Sequence, residues 1–273
     1  MKQLVACVGM FVLIFAGSHT AFSAQDAPGI DPEALIARIV ATDTLWRATV
    51  HDVVFDAEYI EGKKNDDGVF EEQARLIKRV TIKYLPDTAW YHEEILEFYK
   101  EAKLQSPEDR DKEAAERAEK KVRRKAKDIS YRMVSPFLPA SRKDYTISYE
   151  GMETEVIDGY TCHHFRVSSN EIREDRFNGD YFFDIETFNL VRVDFSPAEL
   201  VHRTMFKMKE MRMSISYAPT PDGVWLPKRF EITGKGKAMF FIGVSFAGTE
   251  HYRNPVVNSG VNDELFKNVQ EKE

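Results

Sequence analysis

From Asp144 to Arg253 the chain alternates short runs rich in Val, Ile, Phe, Tyr and Met with turn signals at close intervals. The runs are Tyr145–Tyr149, Tyr160–Ser168, Asp180–Ile185, Leu190–Phe195, Thr204–Tyr217, Trp225–Thr233 and Ala238–His251. Between them stand Asp158-Gly159, Asn178-Gly179, Glu186-Thr187, Ala218–Gly223 and Gly234-Lys235-Gly236. Strands at this spacing, with no long helix between them, predict one antiparallel sheet curling into a barrel or half-barrel. Earlier in the chain the period is first helical. Asp31 suits an N-cap and Pro32 the first helical position, and Leu35, Ile36, Ile39, Val40, Trp46 and Val50 form one apolar stripe that must be buried. From Asp52 the period becomes two: Val53, Phe55, Ala57 and Tyr59 alternate with more polar neighbours. The turn Lys63–Gly68 leads into Leu76–Tyr84, and Pro86-Asp87 into Ala89–Tyr99, where Trp90, His92, Glu94, Leu96 and Phe98 would share a face.

Two later strands carry a large share of soft apolar side chains. Met205, Phe206, Met208, Met211 and Met213 crowd one; Met239, Phe240, Phe241, Ile242, Val244 and Phe246 crowd another. On the first, the apolar set moves from even positions (Phe206, Met208) to odd ones (Met211, Met213, Ile215, Tyr217), and the phase change near Lys209-Glu210 predicts a bulge. Methionine recurs both as core filler and at surfaces that take varied apolar partners.

Ser106–Asp128 differs in composition. Ser106 can cap a helix starting at Pro107, with Glu113→Arg117, Glu116→Lys120 and Glu119→Arg123 as i,i+4 ion pairs. Its apolar stripe, Ala115, Ala118, Val122 and Ala126, is thin, so the helix should pack lightly or project. Its second half is basic, and Lys120, Lys121, Arg123 and Arg124 could meet anionic headgroups or an acidic partner; a solvated surface helix accounts for the same charges. In Val134–Pro139, prolines flank Phe137 and Leu138 and deny them a regular strand or helix. The pair either tucks into the core edge or extends from the mouth of the sheet, and the rim placement, which makes both membrane-contact candidates, is the one expected.

Lys2, the apolar run Val8–Ala16 and Ala21-Phe22-Ser23 together read as an export signal cleaved after Ser23. Leu4-Val5-Ala6-Cys7 resembles a lipid-attachment site but precedes the apolar run instead of following it. The expected product is a soluble periplasmic protein. Cleavage would reduce 38 basic residues to 37 against 45 acidic, moving the net charge from −7 to −8, which argues against a nucleic-acid partner. It would also leave Cys162 without a disulfide partner within the chain. The expected division is a signal over residues 1–23, a linker over 24–30, one domain over 31–267 with a helical insertion at about 106–128, and a tail over 268–273.

Chemistry is sparse. His163 and His164 are strand neighbours pointing to opposite faces, unsuited to sharing one metal. Asp180, Asp184 and Glu186 share a face, but Asp184–Asn189 also reads as a hairpin connection. The chain has no His-Glu-x-x-His, no Gly-x-Ser-x-Gly and no phosphate loop. Neither metal nor cofactor is implied, and no catalytic residue is nominated.

Four segments occur in order: Val156–Cys162, Tyr181–Val193 with its Asp184-Ile185-Glu186-Thr187 turn, Asp222–Phe230 with Asp222-Gly223-Val224-Trp225-Leu226-Pro227 at its start, and Asn262–Phe266. In this the chain resembles the outer membrane lipoprotein-sorting (LolA-like) family, as a divergent member whose charged helix is a departure. The resemblance implies an α+β, mainly antiparallel β fold: a strongly curved incomplete barrel, the N-terminal helix packed on it and one charged helix inserted. It also implies a non-enzymatic carrier or sensor of acyl chains from lipids or lipoproteins, with a membrane or envelope complex as further partner. Cavity candidates are Trp90, Phe98, Met211, Met213, Phe240 and Ile242. An envelope hydrolase using a histidine and a carboxylate, or an interaction module filled by its own side chains, are the alternatives.

Overall fold

The computed structural model describes residues 30–65, 69–85, 89–125 (119–125 by backbone alone), 135–203, 205–239 and 242–266. The expected export signal lies outside them. From Asp31 onward the chain forms one compact unit.

Helix α1 (Pro32–Thr49) starts as its sequence dictates: Asp31 accepts from the Glu33 amide at 3.0 Å, and Pro32 occupies the first turn. Three long strands follow, β1 (Asp52–Lys64), β2 (Phe70–Tyr84) and β3 (Ala89–Lys100), then a short β4 (Lys103–Leu104) and helix α2 (Pro107–Lys125). The one-turn helix α3 (Pro139–Arg142) precedes β5 (Tyr145–Met152), β6 (Cys162–Ser169), β7 (Phe177–Asp184), β8 (Leu190–Pro197) and β9 (His202–Arg203). Strands β10 (Phe206–Pro219), β11 (Trp225–Ala238) and β12 (Ile242–Val257) end the meander, and a 3-10 turn, Asp263–Phe266, follows.

All twelve described strands belong to one open, curved antiparallel sheet of order β4-β3-β2-β1-β12-β11-β10-β8-β7-β6-β5, with β9 on β10. The last strand pairs with the first, so the two edges, β4 and β5, are consecutive in sequence. Residues 105–144 must therefore join one edge to the other, and this segment carries α2 and Phe137. The C-terminal end is tied back to the start of β1. Asp52, 5 % exposed, accepts from the Ser259 amide (2.7 Å) and hydroxyl (2.8 Å) and from the Gly260 amide (3.1 Å). Burial would raise its pKa, but these donors hold it below the usual aspartate value.

The expected bulge exists: the β10–β11 register shifts between Met208 and Glu210. Two glycine signals read as turns prove to lie inside strands. Gly179 is in β7, where a Cβ would sit 2.7 Å from the Asp194 carbonyl oxygen. Gly234 is in β11, with the Phe246 ring crossing where its Cβ would be, at 2.3 Å. Close approach, not chain reversal, is what these glycines permit. The β11–β12 reversal begins at Met239, which takes φ +48°.

Candidate functional site

The face that α1 covers is the inner one. Ile36 and Ile39 pack there with Phe165, Val167, Tyr181, Phe183, Phe188, Val193 and Phe195, while Val50 meets Val53, Phe55, Ala57, Val80 and Leu226. Phe137 is the centrepiece, 1 % exposed and edge-on to Phe165 (5.6 Å), Tyr181 (5.4 Å) and Phe183 (5.0 Å). Its prolines do deny it a strand, but α3 then anchors it: Ser141 donates its hydroxyl to the Ser135 carbonyl at 2.6 Å, and Arg142 pairs with Glu33 of α1. Phe137 is thus a core plug, not a rim residue. Leu138 beside it is half-buried.

Further along the inner face, toward the β11–β12 turn, cover is thinner. Met211 faces Gly234, which faces Phe246; Met213 faces Ile232; and Gly236 faces Val244. Met211, Met213, Ile232, Val244 and Phe246 are all half-buried, leaving a lane of apolar surface across β10, β11 and β12.

Between this lane and β3 lies a group of buried charges. Lys78, 5 % exposed, sets its Nζ 3.0 Å from Glu93 Oε2 and 3.0 Å from Glu250 Oε1. Although that second contact is close, Glu250 Oε1 has no aligned hydrogen-bond donor and no solvent contact. Tyr91 donates to Glu93 at 3.1 Å, and the Tyr59 ring lies 5.4 Å below the Lys78 ammonium. Burial, reinforced by Glu61, pushes the Tyr59 phenol up to about 12. Burial, with Glu93 for Tyr91 and Glu250 for Tyr252, raises those two phenols as well, so all three stay protonated donors.

Helix α2 covers this side. Ser106 caps it at 3.2 Å from the Asp109 amide, and Arg117 pairs with Glu113 at 2.6 Å, as the sequence indicates. The packed face is not the alanine stripe, however: Ala115 and Ala118 are exposed. Instead Arg110, Glu113, Ala114 and Arg117 turn inward. Ala114 meets the cluster of Ala74, Leu76, Ile95 and Phe98, and Arg117 reaches Glu61 at 3.0 Å and lies over the Tyr59 ring. The surface on offer there is polar, so arginine with its apolar stem fits it better than alanine. A pocket of about 430 Å³ opens beside α2, and its lining includes Ala74 and Phe98 together with Glu61, Glu72, Glu101 and Glu113.

The cavity candidates scatter. The β2–β3 register shifts between Ile77 and Lys78, so Phe98 faces Leu76 on the inner side whereas Trp90 faces Lys83 on the outer side. Trp90 is covered there by the fully buried Phe266, ring centroids 5.7 Å apart. The single shared face expected for Trp90 through Phe98 is broken by this bulge. Phe98 is buried beneath α2 at the acidic pocket, not in the methionine lane. Met211 and Met213 lie in the lane, Ile242 stands at its end 46 % exposed, and Phe240 lies outside the described residues. Lys120, Lys121, Arg123 and Arg124 fall in the backbone span of α2.

The histidines diverge as strand neighbours must. His163 points inward, its Nδ1 3.0 Å from the Tyr149 hydroxyl, stacked on Phe188. Burial, with Arg38 nearby, lowers its pKa and keeps it neutral. His164 points outward with Nδ1 2.8 Å from Glu153 and Nε2 2.8 Å from Asp180, both ring nitrogens engaged by carboxylates. Among the described residues no group of three or more His, Cys, Asp or Glu side chains is arranged to hold a metal ion.

Lys78, Glu93 and Glu250 were missed because each sits on a different strand. Their sequence signal is a charge at an inward parity position: Lys78 between Leu76 and Val80, and Glu93 between Tyr91 and Ile95.

No family model and no curated protein matches this chain. Among solved structures it is similar to a DUF1329 family protein from Desulfovibrio piger, at 11 % identity and TM-score 0.43, over 88 % of this chain and 99 % of that one. A Vibrio parahaemolyticus protein named for outer membrane lipoprotein sorting is similar at 12 % identity and TM-score 0.40, over 87 % and 100 %. A LolA superfamily protein from Nitrosomonas europaea is similar at 10 % identity and TM-score 0.36, over 85 % and 97 %. No helix of the described residues is long and apolar enough to cross a membrane.

Proposed function

We propose that this chain is an exported, non-enzymatic carrier or sensor that shelters the acyl chain of a lipid or an acylated protein against the inner face of its sheet. The observation that carries the reading is the lane of Met211, Met213, Ile232, Val244 and Phe246, an inward-facing apolar strip that α1 leaves half-covered. Gly234 deepens it where Phe246 lies flat, and methionine side chains adapt to an acyl chain of no fixed shape. The order of motifs resembling lipoprotein-sorting proteins supports the same reading. In this reading Met211, Met213 and Ile242 line the site, whereas Trp90, on the outer side of β3, takes no part in it.

A fluorescent fatty acid tests it by titration. Each methylene buried contributes ~0.8 kcal/mol, so shortening the probe by about two carbons should weaken binding roughly 15-fold. Met213→Glu and Phe246→Glu should abolish binding, and lipid extracted from the purified protein should be visible by mass spectrometry. A protein that arrives lipid-free and binds probes of every length equally weakly has a core filled by its own side chains, and the carrier reading is then wrong.

A further inference from the structure

We propose that the end of the sheet formed by the start of β10, the end of β11 with Met239, and the start of β12 docks on an anionic phospholipid bilayer. Three large apolar side chains meet there in the open: Met205 is 57 % exposed, Met239 47 % and Ile242 46 %. They are neighbours, since the Met239 amide donates to the Met205 carbonyl at 2.8 Å and Ala238 pairs with Ile242. Met239 is held at φ +48°, a backbone region unfavourable for a bulky side chain. The backbone thus bears strain at a position whose side chain is left in solvent.

One step back from this tip, the outer face is basic. Lys207 and Lys237 stand directly opposite each other in the β10–β11 register, and both are exposed. Like charges placed opposite across two strands destabilise a sheet. Among the described residues neither lysine has a carboxylate within 4 Å, and the next cross-strand acid, Glu210, is taken by Arg212 at 3.0 Å. In a chain of net charge −7 this is a local reversal of sign that suits an anionic surface. Lys237 precedes Met239 by two residues, at the last pleat before β11 ends at Ala238. That is the layering of an interfacial anchor: cations at phosphate level, their stems extended toward water, and apolar side chains below them in the acyl boundary. An acidic protein would satisfy the lysines but would leave the tip without an apolar neighbour.

The proposal goes beyond the carrier reading and can fail separately from it, because docking is read by sedimentation with vesicles and acyl binding by probe titration. The chain from Ala24 onward contains the whole compact unit and is the material to use. It should co-sediment with phosphatidylglycerol–phosphatidylcholine vesicles at low salt and not with phosphatidylcholine alone. Lys207→Ala with Lys237→Ala should weaken this roughly thirty-fold. Met239→Asn, which suits the left-handed backbone, should weaken it with no loss of thermal stability. A wild type that ignores anionic vesicles overturns the proposal, as does a double variant that binds like the wild type. Loss of binding only on charge reversal of Lys120, Lys121, Arg123 and Arg124 would move the membrane contact to α2 and overturn it too.

Discussion

Lys78 is the most exacting probe of this fold, because one buried ammonium sits against two buried carboxylates. Replacing Lys78 with Met keeps most of the apolar stem but leaves Glu93 and Glu250 facing each other without their cation, with side-chain exposures of only 16 % and 10 %. Breaking a buried pair by removing one partner costs about 3–5 kcal/mol, since the residual charge stays out of water without its counter-charge. We place Lys78→Met in that range, because two carboxylates lose their shared cation while neutral donors such as the Tyr91 hydroxyl remain, and Glu250 Oε1 already lacks an aligned donor. Neutralising both carboxylates reverses the loss. Adding Glu93→Gln and Glu250→Gln to Lys78→Met should recover much of the stability, because no uncompensated charge is then left buried and an amide costs far less to bury than a carboxylate. Urea unfolding at neutral pH measures both steps, with an unchanged m-value required so that only stability has shifted. A Lys78→Met variant less than about 1 kcal/mol below wild type would refute the reasoning, because only a well-hydrated cluster behaves like surface ion pairs.

Phe137→Ala should cost about 3–5 kcal/mol, since three edge-on aromatic partners are left around a cavity; a loss below about 1 kcal/mol in the same urea assay would return Phe137 to the rim. Asp52→Asn should cost roughly 1–3 kcal/mol at neutral pH by weakening the anchor of the C-terminal segment. The folded pKa of Asp52 lies below its unfolded value, so its stabilisation is complete above about pH 4 and fades as pH falls through the folded value. The deficit of the variant should therefore shrink in acid, and a constant deficit from pH 7 to pH 3 would contradict this account.

The sequence alone determined the elements and much of their order. Period-two runs marked nearly every strand from Val53 to His251, Asp31-Pro32 marked the first helix, and the even-to-odd shift around Lys209 located a bulge, because each of these signals is local to a few residues. Which face a residue joins was legible only where no unmarked bulge intervened. The slip at Ile77–Lys78 carries no comparable mark, so Trp90 and Phe98, read as companions, lie on opposite sides. Glycine was ambiguous for a related reason. Gly234 and Gly236 look like a reversal in one dimension, whereas their use is to admit Phe246 from the next strand and the β10 backbone. Only the tertiary structure brought Lys78, Glu93 and Glu250 together from three strands, and only it set Phe137 into the aromatic core. Those contacts join residues far apart in the chain. Local propensity says nothing about them, and the way the sheet curves around its helices decides them.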